Sequence, residues 1–192
     1  MTVLPLRQIG DPVLRATTRA VARDELASAE AQQFIDDLIE TKRAAHGAGL
    51  AANQVGDARR IAVVEVEADN PRYPYKPPFP LTVLVNPRIV SASDELIAIN
   101  EGCLSVPDLR GEVPRHAEVL VAYEDRYGEP QRRAVAGLTA GTFQHEIDHL
   151  DGLLFVDRVA DRRTLSTWDM YERHLRAAFE EHARALVARY GS

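Results

Sequence analysis

The chain has 192 residues, 45% hydrophobic and 27% charged, with 23 Lys and Arg against 29 Asp and Glu for a net charge of −6. That composition suits one globular domain, residues 1–192, and excludes collagen-like, coiled-coil and wholly disordered chains, while the acidic balance argues against direct nucleic-acid reading. A single cysteine, Cys103, excludes an internal disulfide, and the lack of a signal-like N-terminus or of an apolar run near 18 residues gives the expectation of a cytoplasmic protein with no membrane segment.

The first helix is predicted from Ser28 to His46, with Ser28 as N-cap, Phe34, Ile35, Leu38 and Ile39 on one face, and Gly47 as C-cap. Ile61–Val66 and Leu81–Ile89 read as strands. Between them Asn70–Pro80 holds five prolines in eleven residues and reads as a loop, because proline neither donates to a sheet ladder nor continues a helix. Glu118–Tyr123 and Arg132–Gly137 form an expected antiparallel hairpin about the Asp125–Gly128 turn. A helix follows over Ala140–Leu150, with Ala140, Phe143, Ile147 and Leu150 in one stripe and Gly152 as terminator. The last helix spans about 164–190, on the periodicity of Trp168, Tyr171, Leu175, Phe179, His182 and Leu186. The order gives an α+β fold with antiparallel or mixed sheets.

The strongest chemical signal is His145-Glu146-Ile147-Asp148-His149. Residues four apart share a helix face, so His145 and His149 can present two imidazoles to one metal, while Glu146 is offset to reach a water beside it. The apolar stripe lies on another face, leaving the histidine face for a site. Asp148 is a candidate to orient an imidazole. A third ligand is required. Glu172 downstream would give a zinc endopeptidase layout; Cys103 upstream, in Glu101-Gly-Cys-Leu-Ser105, would give a His₂Cys site.

Three motifs in order settle which known family the chain resembles: Gly47-Ala-Gly-Leu-Ala-Ala-Asn-Gln54, Glu101-Gly-Cys-Leu-Ser105 and Gln144-His-Glu-Ile-Asp-His-Leu-Asp-Gly152, together with the opening Ile9-Gly-Asp-Pro-Val-Leu-Arg15. The chain resembles the peptide deformylases, which remove the N-terminal formyl group from nascent bacterial polypeptides. The resemblance implies antiparallel sheets around a central helix that carries the metal motif. It implies Cys103, His145 and His149 as metal ligands and Glu146 as catalytic acid/base. Gln54 and the Leu104 N–H become oxyanion donors, and Gly49 a backbone contact to substrate. Fe²⁺ is the implied metal, with Zn²⁺, Ni²⁺ and Co²⁺ able to replace it. The implied partner is an N-formylmethionyl peptide, with transient ribosome contact in which the last helix would take part. Ala48 departs from the larger aliphatic common in the family, and the Asn70–Pro80 segment is longer than the usual turn, with a lid over the peptide groove as the alternative to a plain loop. Arg110 has two candidate partners, the substrate and Glu101, with a plain surface position as the alternative. A catalytically inactive homologue or an interaction protein are the alternatives outside enzyme chemistry; intact Glu146 and Gln54 argue against the first.

Overall fold

The computed structural model describes residues 2–68 and 70–192. Its helices are α1 (Arg23–Leu26), α2 (Ala29–Ala44), α3 (Gly137–Leu150), α4 (Phe155–Arg158), α5 (Trp168–Met170) and α6 (Arg176–Tyr190). Its strands are β1 (Gly49–Ala51), β2 (Ile61–Val66), β3 (Phe79–Ala92), β4 (Leu96–Cys103), β5 (Val106–His116), β6 (Glu118–Glu124), β7 (Pro130–Ala136) and β8 (Ser166–Thr167). A five-stranded antiparallel sheet runs β1-β2-β3-β6-β7, and a three-stranded antiparallel sheet runs β4-β5-β8. The fold is therefore α+β, as expected.

Local chemistry explains the boundaries. The Ser28 hydroxyl accepts from the Ala31 N–H at 3.1 Å and opens α2. At the other end, the left-handed residue is His46 (φ 52°), not Gly47. The N–H of His46 bonds to Arg43 and that of Gly47 to Lys42, closing a Schellman turn whose glycine stands one residue beyond the expected place. The β6–β7 hairpin forms about Asp125–Gly128, as predicted, with Gly128 at φ 81°. The proline-rich segment is mostly turns, but its end departs from the loop reading. Phe79 pairs with Val66 across an irregular register in β2, the kind of position that tolerates Pro80 next to it.

Strand β2 is buried along its whole length. Ala62 and Val64 meet Phe143 and Ile147 of α3, while Ile61 and Val63 meet Ile35 and Leu38 of α2. A strand covered on both faces reads as a continuous apolar run, which is the pattern IAVVEV shows. The second sheet closes over the other side of α3, packing Ile97 and Ile99 with Leu138 and with Ala183 and Leu186 of α6. Every residue of α3 except His145 is consequently buried. As expected, the histidine face of α3 is turned to a site, but that site is an interior cleft, because α3 is the axis between two sheets.

The C-terminal helix also begins later than the periodicity suggests. Ser166 and Thr167 pair with Arg110 and Leu109 of β5, so the chain stays extended to Thr167. The Thr167 hydroxyl then caps the turn at Met170. Between α5 and α6, Tyr171–Leu175 form a π-turn that buries Tyr171.

Candidate active site and metal centre

Cys103 ends β4, and β5 returns at Val106 after a two-residue turn. That turn sets the thiol against α3. The ligand atoms of Cys103, His145 and His149 lie within 4.8 Å of one another, the metal-capable group of this kind among the described residues. Cys103 Sγ is 3.2 Å from His149 Nε2, and the two imidazole rings are 4.9 Å apart. Burial opposes ionisation of the thiol, but the adjacent imidazoles of His149 and His145 outweigh it and hold the group well below its ordinary value. The Ser105 N–H also donates to Sγ at 3.3 Å.

Second contacts fix the ring of His145. Its Nδ1 meets Glu101 Oε2 at 2.8 Å. Burial works to raise the Glu101 carboxyl, yet the Arg115 guanidinium, bonded at 2.7 and 2.9 Å, keeps it far below the carboxylate range. An ionised Glu101 can only accept, so Nδ1 carries the proton and Nε2 keeps its lone pair for a metal. Asp148 does not orient an imidazole as expected. It bonds Arg115 at 2.5 Å and Arg158 at 2.7 Å, and so reaches His145 only through Arg115 and Glu101. Buried Arg115 had no signal in the sequence, since the strand that carries it was itself not legible there.

Glu146 is 3% exposed, and its Oε2 is buried without a hydrogen-bond partner. Burial raises its carboxyl to about 6, against the opposing pull of the two imidazoles. His149 Nδ1 is likewise buried and unpartnered. Gly49 of β1 passes so close that a Cβ there would collide with the Glu146 carboxylate. The Gln54 side chain is anchored by the Ala51 N–H on Oε1 at 2.8 Å, which turns its Nε2 toward Ser105 Oγ (3.1 Å) and Cys103 Sγ (3.5 Å). Gly49, Gln54, Cys103, Leu104, His145 and Glu146 all line one cavity.

Two other candidates take different places. Arg110 does not pair with Glu101. Its Nε and Nη2 donate to Asn100 at 2.7 Å, and its guanidinium lies over the rings of Trp168 and Tyr171. It is 2% exposed but borders the cavity. Glu172 sits on the π-turn, paired with Arg176 at 2.7 Å, and is not in the metal-capable group. Sequence reasoning missed Tyr73, Tyr75 and Lys76, which reach the same cavity from the proline-rich segment. Aromatic and basic residues among the prolines were the available signal.

The family model described as Polypeptide deformylase matches residues 3–164. The chain belongs to that family. It is 44% identical over 170 residues to a protein named peptide deformylase 2 from Nostoc sp., spanning 88% of this chain and 93% of that one. A Met-Ala-Ser-bound class I type b peptide deformylase from Acinetobacter baumannii superposes with a TM-score of 0.79 at 39% identity, covering 82% of this chain and 99% of that one. An actinonin complex of a Synechococcus elongatus peptide deformylase gives 0.74 at 34% identity, covering 100% and 87%. Membership brings the reaction that the three motifs imply, metal-dependent hydrolysis of the formyl amide of formyl-methionyl polypeptides.

Proposed function

We propose that this chain releases formate from formyl-methionyl peptides at one divalent ion held by Cys103, His145 and His149, with Glu146 as acid and base. The observation that carries this reading is the meeting of a buried thiol and two imidazoles within 4.8 Å, beside a buried carboxyl with an unpartnered oxygen. The donor set fits the group: one thiolate and two neutral imidazoles suit Fe²⁺, Zn²⁺, Ni²⁺ or Co²⁺, of which Fe²⁺ is the proposed ion. When bound, the ion supplies Lewis acidity that makes water a usable nucleophile near neutral pH.

The remaining work falls to the chain. Glu146 takes a proton from the attacking water, whose oxygen bonds to the formyl carbon. Charge gathers on the formyl oxygen, where the Gln54 Nε2–H and the Leu104 N–H donate. Glu146 then delivers the proton to the amine nitrogen as the C–N bond breaks, and formate and a free N-terminus leave. Residues of β1 and β4, each at the edge of its sheet, both line the cavity, so an extended peptide adds as a strand along Gly49, with buried Arg110 contributing a rigid wall. The same reading makes residues 1–192 one catalytic domain acting in the cytoplasm, with α6 free to touch the ribosome in passing. Among the described residues no helix is long and apolar enough to cross a membrane.

The test is formate release from formyl-Met-Ala-Ser by protein loaded with Fe²⁺ without air, beside Glu146→Gln. The wild type releases formate, and the variant is slower by roughly 10²- to 10⁴-fold. A fully metallated wild type that releases none overturns the assignment.

A further inference from the structure

The cavity beside the metal group continues along α3 past Gly141 and Thr142, one turn before His145, with Ile99 and Leu138 as apolar walls. Lys76 closes that end. Its Nζ donates to Thr142 Oγ1 at 2.8 Å, while the Thr142 hydroxyl donates onward to the Leu138 carbonyl. An ammonium carries three N–H donors, and Thr142 is its one hydrogen-bond acceptor among the described residues. The Tyr73 ring lies 4.9 Å away on another side.

The lysine is not on a loose tether. Next to it Tyr75 packs edge-on against Phe179 of α6 at 5.2 Å. Arg72 lies over the Trp168 ring, and Asn70 donates to the His46 carbonyl. Lys76 is half-buried; desolvation pulls its amine down to about 8 against the nearby Glu101 and Glu146 carboxylates, which leaves it protonated at neutral pH. A cavity with aliphatic walls and an ammonium at its end matches a side chain that is aliphatic along its length and carries an oxygen at its tip.

We propose that Lys76 is a specificity-determining residue, which makes the pocket for the first side chain favour one ending in a hydrogen-bond acceptor, methionine sulfoxide being the closest fit to a formyl-methionyl substrate. This rests on the reading above, in which Glu146 serves the formyl carbon and the peptide adds as a strand along Gly49; its first side chain then enters the part of the cavity that adjoins them. A purely apolar side chain at this end must leave the ammonium without a new partner, whereas a sulfoxide oxygen supplies one.

The experiment compares kcat/KM of the Fe²⁺ enzyme for formyl-Met-Ala-Ser and for the same peptide carrying methionine sulfoxide, in the wild type, Lys76→Met and Lys76→Arg. Lys76→Met lowers the sulfoxide-to-methionine ratio by roughly 10- to 100-fold, and Lys76→Arg retains most of it. A ratio that does not move, or an equal gain on both peptides, overturns the inference and leaves Lys76 as a plug. Formate from neither peptide in the wild type overturns the deformylase assignment itself, and the inference with it.

Discussion

Two single residues decide how well the site is set. Glu101 holds His145 and is itself held by Arg115, so the ring cannot turn without breaking its hydrogen bond to a carboxylate fixed by a buried ion pair. Glu101→Gln keeps the shape and removes the charge that fixes the imidazole proton. Metal affinity should fall by roughly 10- to 100-fold, read by competition with a chelator. Unchanged affinity would show that packing alone orients the ring. Gly49 acts through space rather than chain flexibility, since its φ is not left-handed. A Cβ there must push the Glu146 carboxylate aside, so Gly49→Ala should lose on the order of 10² in kcat with circular dichroism unchanged. The sequence marks Gly49 as a close-approach position but assigns that approach to the substrate; the structure shows that Glu146 comes first.

At the scale of elements, α2 is tied to β2 through charge. Glu65 bonds Arg43 at 2.7 and 2.9 Å and Lys42 at 2.7 Å, and the Lys42 side chain is wholly buried. The Arg43 bonds, joined by those of Lys42 and opposed by burial, bring the Glu65 carboxyl down from 4.5 to about 2. A carboxyl lowered in the folded state contributes stability that is complete above its unfolded value and fades as pH falls toward its folded value. The window is therefore pH 4.5 down to about 2, and the linked contribution is about 3 kcal/mol at most. Glu65→Gln should cost about 3 kcal/mol at pH 7, because it removes the nearest charge partner of the buried Lys42 ammonium and leaves it only the more distant Glu67. The gap between variant and wild type should close as urea unfolding is repeated toward pH 2; a constant gap would remove Glu65 from the acid limb. Elements with a local signature were legible in the sequence: Ser28 announces α2, and the Asp125–Gly128 turn announces β6 and β7. Strand β5 was not, because Pro107 and Pro114 mask its pattern, and its pairing with β4 depends on partners distant in the chain.

For the whole molecule, the metal group is where two layers meet. Cys103 belongs to the three-stranded sheet, whereas His145 and His149 belong to the helix that packs on the five-stranded sheet. The motif spacing makes the donors legible, because a thiol and two imidazoles announce their chemistry by residue type. Their burial between sheets is not legible, since it depends on the second sheet closing over α3, and no local periodicity encodes that closure. An ion held across such a junction stabilises the folded chain by mass action, about 2.7 kcal/mol when its concentration is 100 times its dissociation constant. For a chain of this length that amounts to an increase in Tm of roughly 5–10 °C. Calorimetry of chelator-treated protein, with and without added Ni²⁺, should show this shift. Cys103→Ser should lose most of it, because the soft donor from the second sheet is gone and the two α3 imidazoles no longer bind the sheets together through the ion. Glu172→Ala should retain it in full, since Glu172 lies on an outer turn with Arg176. If the serine variant kept the shift and the alanine variant lost it, the third ligand would be Glu172 and the junction would carry no metal.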